Sequence, residues 1–497
     1  MGAVQDSTVH KSSYGQYRIV VDETGRKYRV GEDVKAITRK VGLGQGRNIL
    51  LLGAWMSFFM GSVLEYGWSI ASSTVESYFH MSFLAAFAEY SIYVLFEATL
   101  VAYTYGWMRE RGLISPRRTL LLGGAMLFMS YYFLANSWQP WILWTGYSAL
   151  GGFAGGFGYA TGGSVVGKWF PDKRGWRTGL ANGAWAYGGA PFIFVYALYL
   201  KNSTVLPLFL ETGVIIGVGM IIASFLVCDP PKYWWPPHID PIEARHGRLK
   251  STELKKNPPA VAQWGPKEFW ASTQGKALVA SFTLGLTASL FAVGYYAAFG
   301  SAMGFGGLVA FAIGAAGFAA TDGVGRPTMG FISNYISRKR MLALAYIIMG
   351  VGGLATLYAG LAHSPVLFAV FAIISGGVSG ACFCFAWIIA GDYFGENNLA
   401  KNWGSTYVFK FVGGAAAGIG VAYMLTVTHF DWTLAFWLGA IVSVLAALIV
   451  IVFLHPPTID EYIAVRNKLG LPIPDEIRQR SRGPAIGASE SGGDRDA

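Results

Sequence analysis

Two basic residues, Arg326 and Lys410, lie inside long apolar stretches of the chain. A basic side chain at the centre of a membrane-spanning helix costs roughly 2.5–3.5 kcal/mol, and such residues usually face the bundle interior or a water-filled cavity. The guanidinium group presents a planar fork of donors that matches a carboxylate, whereas the ammonium group adds a compact point charge. The pair therefore predicts a binding site for a small organic anion.

Acidic residues occur in the same kind of stretch. Asp322 precedes Arg326 by four residues, so both should lie on one helix face about one turn apart. Asp322 would neutralise Arg326 in the empty site, or take up a proton when a substrate displaces it. Glu65 and Glu97 lie deep in their stretches and are predicted to pair with Lys410 or Arg326.

Other interpretations of these charges stay open. Asp322 and Arg326 also fit a structural ion pair that holds the helix near its cytoplasmic end, and Lys410 could extend its ammonium group to the membrane surface. Glu89 and Glu211 lie near the ends of their stretches, where solvation at the membrane interface is expected. The apolar stretches thus contain four glutamates against two basic residues, which favours protonation of some of these acids and leaves proton coupling open.

Composition places these residues in a membrane protein. The chain of 497 residues is 53% hydrophobic and only 13% charged, whereas soluble proteins average about 25% charged residues. Windows of about 20 apolar residues suffice to cross a bilayer, and only helices or closed barrels span lipid. We count twelve such windows, at residues 49–70, 85–107, 119–137, 140–165, 179–200, 206–228, 275–298, 307–331, 341–362, 366–390, 404–428 and 433–454.

The basic residues also predict the orientation. With both termini in the cytoplasm, 35 of the 38 Lys and Arg residues fall in the tails and the cytoplasmic loops. The outer loops hold only Lys201, and the remaining two are Arg326 and Lys410. This asymmetry follows the positive-inside rule, so we predict an integral protein of the cell (inner) membrane with both tails inside.

An internal repeat divides the chain into two halves. Gly167 follows the fourth window and Gly391 the tenth, while Gly106 and Gly330 close the second and eighth windows, each pair 224 residues apart. We predict an all-α membrane protein of twelve transmembrane helices in two pseudo-symmetric six-helix bundles, the major facilitator fold. The predicted parts are the N-terminal tail 1–48, the first bundle 49–228, the central loop 229–274, the second bundle 275–454 and the C-terminal tail 455–497.

Several motifs resemble known transporter families. Residues 65–69, Glu-Tyr-Gly-Trp-Ser, and residues 168–175, Lys-Trp-Phe-Pro-Asp-Lys-Arg-Gly, resemble two signatures of the monocarboxylate transporters. The form of the second motif, together with residues 392–395 and 402–404, is more similar to the oxalate/formate antiporter family. The resemblance covers roughly residues 45–455 and leaves the tails unmatched.

The resemblance implies roles for individual residues. In the antiporter family an Arg in the eighth span and a Lys in the eleventh hold a dicarboxylate, and Arg326 and Lys410 match them. In the monocarboxylate transporters an Asp four residues before the Arg is implicated in proton coupling, and Asp322 matches it. Aromatic residues also close the site in the antiporter family. The nearest candidates in this chain are Tyr66, Tyr159, Tyr187 and Trp387, although generic packing explains each of these four equally well.

These observations predict a secondary active transporter of small carboxylates, such as oxalate, formate or related monocarboxylates. The alternative is a proton-coupled monocarboxylate symporter that uses Asp322, and a rival class is a carboxylate sensor that has lost transport. Two cations suit a compact dianion, while an ionised Asp322 leaves a surplus of one positive charge. The expected partners are the anion, the lipid bilayer and possible coupling protons, with no nucleic acid, and we expect a functional monomer.

Enzymatic chemistry is not indicated by the residue pattern. The chain shows no nucleophile–base set and no metal-ligand spacing, so neither catalysis nor a cofactor nor a bound metal is expected. The three cysteines predict no disulfide. In the N-terminal tail, alternation around Thr24-Gly25 predicts a small β-hairpin, and the end of the chain from about residue 478 has a disordered composition.

Overall fold

Helices dominate the computed structural model of the chain. The structure describes residues 9–21, 27–39, 44, 46–171, 174–231, 233–242, 256–257, 260–305, 317–395, 398–474 and 477. The end of the chain predicted to be disordered, from residue 478, lies outside this part.

The helices of the first half follow the predicted windows closely. Each long apolar run folds as helix because a helix satisfies its own backbone hydrogen bonds without water. In chain order the segments are Arg47–Tyr66, Trp68–Phe79, Phe83–Leu95, Phe96–Val101, Ala102–Glu110, Pro116–Leu134, Pro140–Ile142, Leu143–Ala149, Leu150–Trp169, Arg174–Tyr187, Ala190–Tyr199 and Val205–Phe225.

The second half repeats the pattern after the central loop. Its segments in chain order are Pro266–Ala271, Thr273–Ala302, Phe318–Ile336, Arg338–Leu361, Pro365–Ser379, Ala381–Phe394, Leu399–Tyr407, Lys410–Ala415, Ala416–Gly420, Val421–Val427, Trp432–Phe453 and Ile459–Lys468. Within the described residues, seven helices are long and apolar enough to cross a membrane by length and composition. We number the spans one to twelve in the order of the predicted windows.

Several spans are interrupted near their middle. The first span breaks at Gly67 and the tenth at Gly380, while π-helical turns widen the second span at Phe96–Val101 and the eleventh at Ala416–Gly420. Such turns occur frequently at functional sites, because they leave backbone groups and side chains in irregular positions. Gly380 is required sterically, since a Cβ there would collide with the side chains of Asp322 and Arg326.

Part of the N-terminal tail folds as a small sheet. Strands β1 (His10–Ser12), β2 (Gly15–Val21) and β3 (Lys27–Val30) are antiparallel neighbours, with Arg18 opposite Val30. This pairing confirms the predicted hairpin, although its turn lies outside the described residues. The sequence did not predict β4 (Trp234–Trp235), which the central loop adds parallel to β3.

The sheet is joined to the helical bundle by Trp234. Its indole ring packs edge-on against Trp169 at the end of the fourth span, with ring centroids 4.8 Å apart, and its Nε1 donates to the carbonyl of Glu32 at 3.3 Å. Tyr28, Val30 and Trp235 form the buried core of the sheet. The described strands of the N-terminal tail and of the central loop are therefore joined to each other and to the bundle near Trp169. We call this end of the bundle the tail end.

Candidate functional site

Lys410 lies at the centre of a buried cluster of charges. Its Nζ is 3.0 Å from Oε2 of Glu65 and 3.0 Å from Oε2 of Glu97, and all three side chains are inaccessible to solvent. Tyr407 donates to Oε1 of Glu97 at 2.6 Å. The predicted pairing is present, and extension of Lys410 to the surface is excluded. The cluster links the first and second spans of one half to the eleventh span of the other.

Interruptions in the three helices position these side chains. Glu65 precedes the break at Gly67, Glu97 lies within the π-helical turn of the second span, and Lys410 begins the helical segment that follows the break at Phe409. Oε2 of Glu65 also accepts a hydrogen bond of 2.6 Å from Nε1 of Trp185. Buried charges require partners of this kind, because neither water nor lipid solvates them there.

Arg326 forms a second charged cluster beside the first. Its Nη2 donates to Oδ2 of Asp322 at 2.9 Å and to the hydroxyl of Tyr66 at 3.0 Å. Its Nη1 donates to the carbonyl of Asn182 at 3.0 Å and to Oδ1 of the same residue at 2.8 Å. Tyr66 in turn donates to Asp322. Asp322 and Arg326 thus share a helix face as predicted, and residues of both halves surround them.

Two atoms of this second cluster remain unused. Nε of Arg326 and Oδ1 of Asp322 are buried and have no hydrogen-bond partner among the described residues. Both lie against Gly380, at the break in the tenth span. A guanidinium group that keeps one buried donor free can still accept a further anionic ligand without losing its existing bonds.

A single aromatic ring connects the two clusters. Phe383 lies 4.8 Å from the guanidinium carbon of Arg326 and 5.3 Å from Nζ of Lys410, measured to the ring centroid. Both cations therefore interact with one π-system, which stabilises positive charge at side chains that are inaccessible to solvent. A small anion that contacts both cations would lie against this ring.

Stacked aromatic rings adjoin the clusters toward the tail end. Trp387 stacks on Trp403 at 3.9 Å, Trp403 on Tyr407 at 4.6 Å, and Tyr407 on Tyr159 at 5.0 Å. The hydroxyl of Tyr159 accepts a 2.7 Å hydrogen bond from Asn182, the partner of Arg326. Tyr66, Tyr159 and Trp387, predicted as site residues, thus lie in or beside the charged region, and their contact with substrate stays a prediction.

Tyr187 is placed differently from the other predicted residues. Its hydroxyl is engaged by Nε1 of Trp55 and donates to the carbonyl of Leu180 at 3.2 Å. Its ring packs closely against the backbone of Gly323 and is only partly buried. Among the described residues no hydrogen bond or ion pair joins Tyr187 to either charged cluster, so its structural contribution is to the packing of the fifth span on the eighth.

Sequence reasoning missed several residues of the site. Asn182, Phe383, Trp403 and Tyr407 contact the predicted residues directly, but none was predicted as a site residue. Asn182 carried a usable signal, because an amide inside a membrane span is expected to find a hydrogen-bond partner on a neighbouring helix. The aromatic residues carried none, since aromatic residues make up 15% of the chain.

The charge balance differs from the expected surplus of positive charge. Three acidic groups, of Asp322, Glu65 and Glu97, contact the two cations Arg326 and Lys410. With every group ionised, the described site has a formal charge of minus one. The expected surplus counted only Asp322 against the two cations, although Glu65 and Glu97 were also predicted to pair with them.

The prediction for Glu89 was wrong. Instead of being solvated at the membrane interface, its side chain is completely buried, because the segment Phe83–Leu95 packs against the fourth and eleventh spans. Ser148 of the fourth span lies beside the carboxyl group. Glu211 is exposed, as its position near a span end predicted.

A narrow cavity opens on the side of the clusters away from the tail end, lined by Glu65, Trp68 and Tyr90 among others.

Metal binding finds no support in the residues described. Within that part of the chain no group of three or more His, Cys, Asp or Glu side chains is arranged to hold a metal ion. The clusters are instead built from monodentate carboxylates that already contact cations. The arrangement brings two cations and three carboxylates together in a buried region.

Ion pairs also connect the helices at the tail end. Arg109 is paired with Asp229, Lys168 lies 3.1 Å from the same carboxylate, and Arg338 is 3.2 Å from Asp392. Burial by itself raises the pKa of Asp229, but the adjacent Arg109 and Lys168 outweigh this and hold the pKa below its ordinary value. The carboxylate thus fixes the start of the central loop to the second and fourth spans.

Replacing Asp229 with Asn is expected to lower the melting temperature of the detergent-solubilised protein at pH 7 by on the order of 3 °C. Because the pKa is lower in the folded protein, the stabilisation is present above the ordinary pKa of Asp, about 3.9, and is lost below it. The difference in melting temperature between the wild-type protein and Asp229→Asn should therefore shrink as the pH falls toward 3. The matched control is Asp460→Asn, at an exposed position.

The fold and its site define a membrane transporter: two halves of spanning helices with a charged cluster buried between them. The Major Facilitator Superfamily profile matches residues 50–418 and 312–484, and the chain belongs to this superfamily. The protein is therefore a transporter and not an enzyme, and the predicted major facilitator fold is confirmed.

The chain is similar in sequence to two known transporters. It is 25% identical over 413 residues to the oxalate:formate antiporter of Oxalobacter formigenes, covering 82% of this chain and 91% of that one. It is 24% identical over 303 residues to the uncharacterized MFS-type transporter YhjX of Escherichia coli, covering 61% and 70%. The predicted resemblance to the oxalate/formate antiporter family is confirmed.

Solved structures support the fold. The crystal structure of a D-xylose-proton symporter superposes with a TM-score of 0.60 at 12% sequence identity, covering 82% of this chain and 97% of that chain. A double tryptophan mutant of the same kind of symporter gives a TM-score of 0.59 at 11% identity, covering 85% and 98%. At this level of identity the similarity describes the architecture alone.

Proposed function

We propose that this protein is a secondary active transporter of small carboxylates in which a proton is taken up with each carboxylate group. The observation that supports this is the contact of three buried acids with the two cations between the halves. Arg326 and Lys410 supply the attraction for an anion, and its relative from Oxalobacter formigenes is named for two carboxylates. The acids determine under which conditions that attraction is available.

Binding is proposed to proceed by exchange of partners at Lys410. An incoming carboxylate replaces one of the two glutamates on the ammonium group, and the displaced glutamate takes up a proton. The negative charge lost by the glutamate equals that brought by the substrate, so the charge of the site is unchanged. Arg326 binds the same substrate through its free Nε, with Phe383 beneath both cations.

This charge balance favours a monocarboxylate as the substrate. One protonated glutamate compensates one carboxylate, whereas a dianion such as oxalate requires a second protonation, of Asp322 or the other glutamate. Proton-coupled uptake of formate or a related monocarboxylate is therefore the primary proposal. Exchange of oxalate for formate is the second candidate, and it is favoured by the similarity to the antiporter along 82% of this chain.

The experiment is uptake of labelled formate and labelled oxalate into proteoliposomes that contain the purified full-length protein. We expect a pH gradient, acidic on the side of the label, to drive accumulation of formate, and a protonophore to abolish it. Protein-free liposomes measure passive entry of formic acid. Oxalate–formate counterflow that is insensitive to the gradient would favour the second candidate, and absence of any carboxylate flux would refute both.

The proposed orientation in the membrane follows from the distribution of the basic residues. We propose that the tail end faces the cytoplasm of a cell (inner) membrane, because 35 of 38 Lys and Arg residues fall on that side. The aromatic stack at Trp387, Trp403 and Tyr407 would then close the cytoplasmic side of the substrate site. Since each half supplies part of both charged clusters, one chain contains a complete site, and a functional monomer is proposed.

A further inference from the structure

Glu89 is a buried acid outside both charged clusters. It lies in the segment Phe83–Leu95 of the second span and is completely inaccessible to solvent. Neither of its carboxyl oxygens has a hydrogen-bond partner among the described residues. Ser148 is close enough to interact with it, but the hydroxyl of Ser148 donates to the carbonyl of Leu143 at 3.0 Å.

Among the described residues, no cation compensates this acid. In the described part of the chain Glu89 forms no ion pair, in contrast to Glu65 and Glu97, which both contact Lys410. Burial of an isolated carboxylate is so costly that the group binds a proton and becomes neutral instead. Ionisable groups at membrane depth are functional far more often than structural.

The position of Glu89 connects it to the charged site. The next residue, Tyr90, has its hydroxyl 3.5 Å from Oε1 of Glu65 and interacts electrostatically with both Glu89 and Glu65. Tyr90 and Glu65 also line the narrow cavity on the side away from the tail end. Glu89 therefore directly precedes the residue that joins this cavity to Glu65, and Glu65 in turn contacts Lys410.

We infer that Glu89 is a second proton-binding site, which supplies the proton that Glu65 takes up when a carboxylate displaces it from Lys410. The carboxyl group of Glu89 gives up its proton and becomes a carboxylate, while the carboxylate of Glu65 binds one proton, so the summed charge of the two glutamates is unchanged. Glu89 takes up its next proton from the side of the membrane on which the carboxylate enters. This inference rests on the proposed proton coupling and identifies the group that performs it.

Several titratable groups from the surrounding spans influence this transfer. Glu65 belongs to the first span, Tyr147 to the fourth and Lys410 to the eleventh, and Tyr90, Tyr93 and Glu97 share the second span with Glu89. Lys410 contacts the carboxylate of Glu65 at 3.0 Å while no substrate is bound. When a substrate carboxylate takes the place of Glu65 on Lys410, this contact is lost and the proposed proton transfer to Glu65 follows.

The test uses Glu89→Gln in the full-length protein. Because Gln resembles a protonated Glu in size and charge, the fold should be retained. We expect pH-gradient-driven formate uptake to fall by at least about tenfold, since the proton donor is lost. Counterflow of formate between two equal pools, in which Glu65 can keep its proton while one formate replaces another, should fall much less than the gradient-driven uptake. The infrared band of a protonated carboxyl group should disappear from the spectrum of the variant.

Controls separate this inference from the proposed function. Glu211→Gln, at the exposed acid of the sixth span, should keep both activities and the infrared band. Glu89→Asp, which retains an acid, should restore part of the gradient-driven uptake. The inference is overturned if Glu89→Gln keeps wild-type gradient-driven uptake or keeps the band. If the wild-type protein moves no carboxylate, the proposed function fails, while the infrared band still decides whether Glu89 holds a proton.

Discussion

Uptake of carboxylate is expected to fall by at least about 100-fold when Lys410 is replaced with Ala, because removal of one partner from a buried ion pair costs about 3–5 kcal/mol. The variant loses the cation that attracts the substrate. It also leaves Glu65 and Glu97 without the ammonium group that lies 3.0 Å from each. Both glutamates should then bind protons, so the remaining activity should not respond to a pH gradient. Initial rates in proteoliposomes measure this directly.

A second substitution distinguishes loss of function from loss of folding. Combining Lys410→Ala with Glu97→Gln removes one of the two acids that the single variant leaves uncompensated. We expect the double variant to recover melting temperature relative to Lys410→Ala but to remain inactive. Lys276→Ala, at an exposed position in the first turn of the helix Thr273–Ala302, is the matched control and should transport normally. Wild-type uptake by the Lys410→Ala protein would contradict the proposed role.

Arg326→Lys is expected to reduce uptake by about 100-fold although it preserves the charge. Nη1 and Nη2 of Arg326 make four hydrogen bonds, to Asn182, Tyr66 and Asp322, and Nε remains free. An ammonium group cannot reproduce this planar arrangement. Loss of one or two hydrogen bonds to a charged group, at about 1.5–3 kcal/mol each, gives the expected size of the effect. Arg118→Lys, at an exposed position, is the control.

The alternative of a purely structural ion pair makes a different prediction. If Arg326 and Asp322 only stabilise the eighth span, replacing both with apolar residues of similar size should be tolerated, as it is for many buried ion pairs. The double variant Arg326→Met with Asp322→Leu should then transport at the wild-type rate. We expect a folded protein that does not take up carboxylate. Comparison of its melting temperature and uptake rate therefore decides between the two interpretations.

The sequence was sufficient wherever the determining interactions are local. Runs of apolar residues located the spans, because crossing the hydrocarbon region requires about 20 of them in succession. The spacing of four between Asp322 and Arg326 predicted a contact that the structure shows at 2.9 Å. Alternation in the N-terminal tail predicted the pairing of β2 with β3. In each case the partners are close in sequence, and one helical or extended repeat fixes their relative position.

Tertiary structure alone decided how the charges combine. Lys410 could have paired with either acid or reached the surface, and its contact with Glu65 joins residues 345 positions apart. The choice depends on how each span is rotated and how closely the spans approach, which residues such as Gly380 permit by lacking a side chain. The same packing buried Glu89, which sequence position alone assigned to the interface. Hydropathy identifies which segments enter the membrane, but it does not encode which faces of those helices meet.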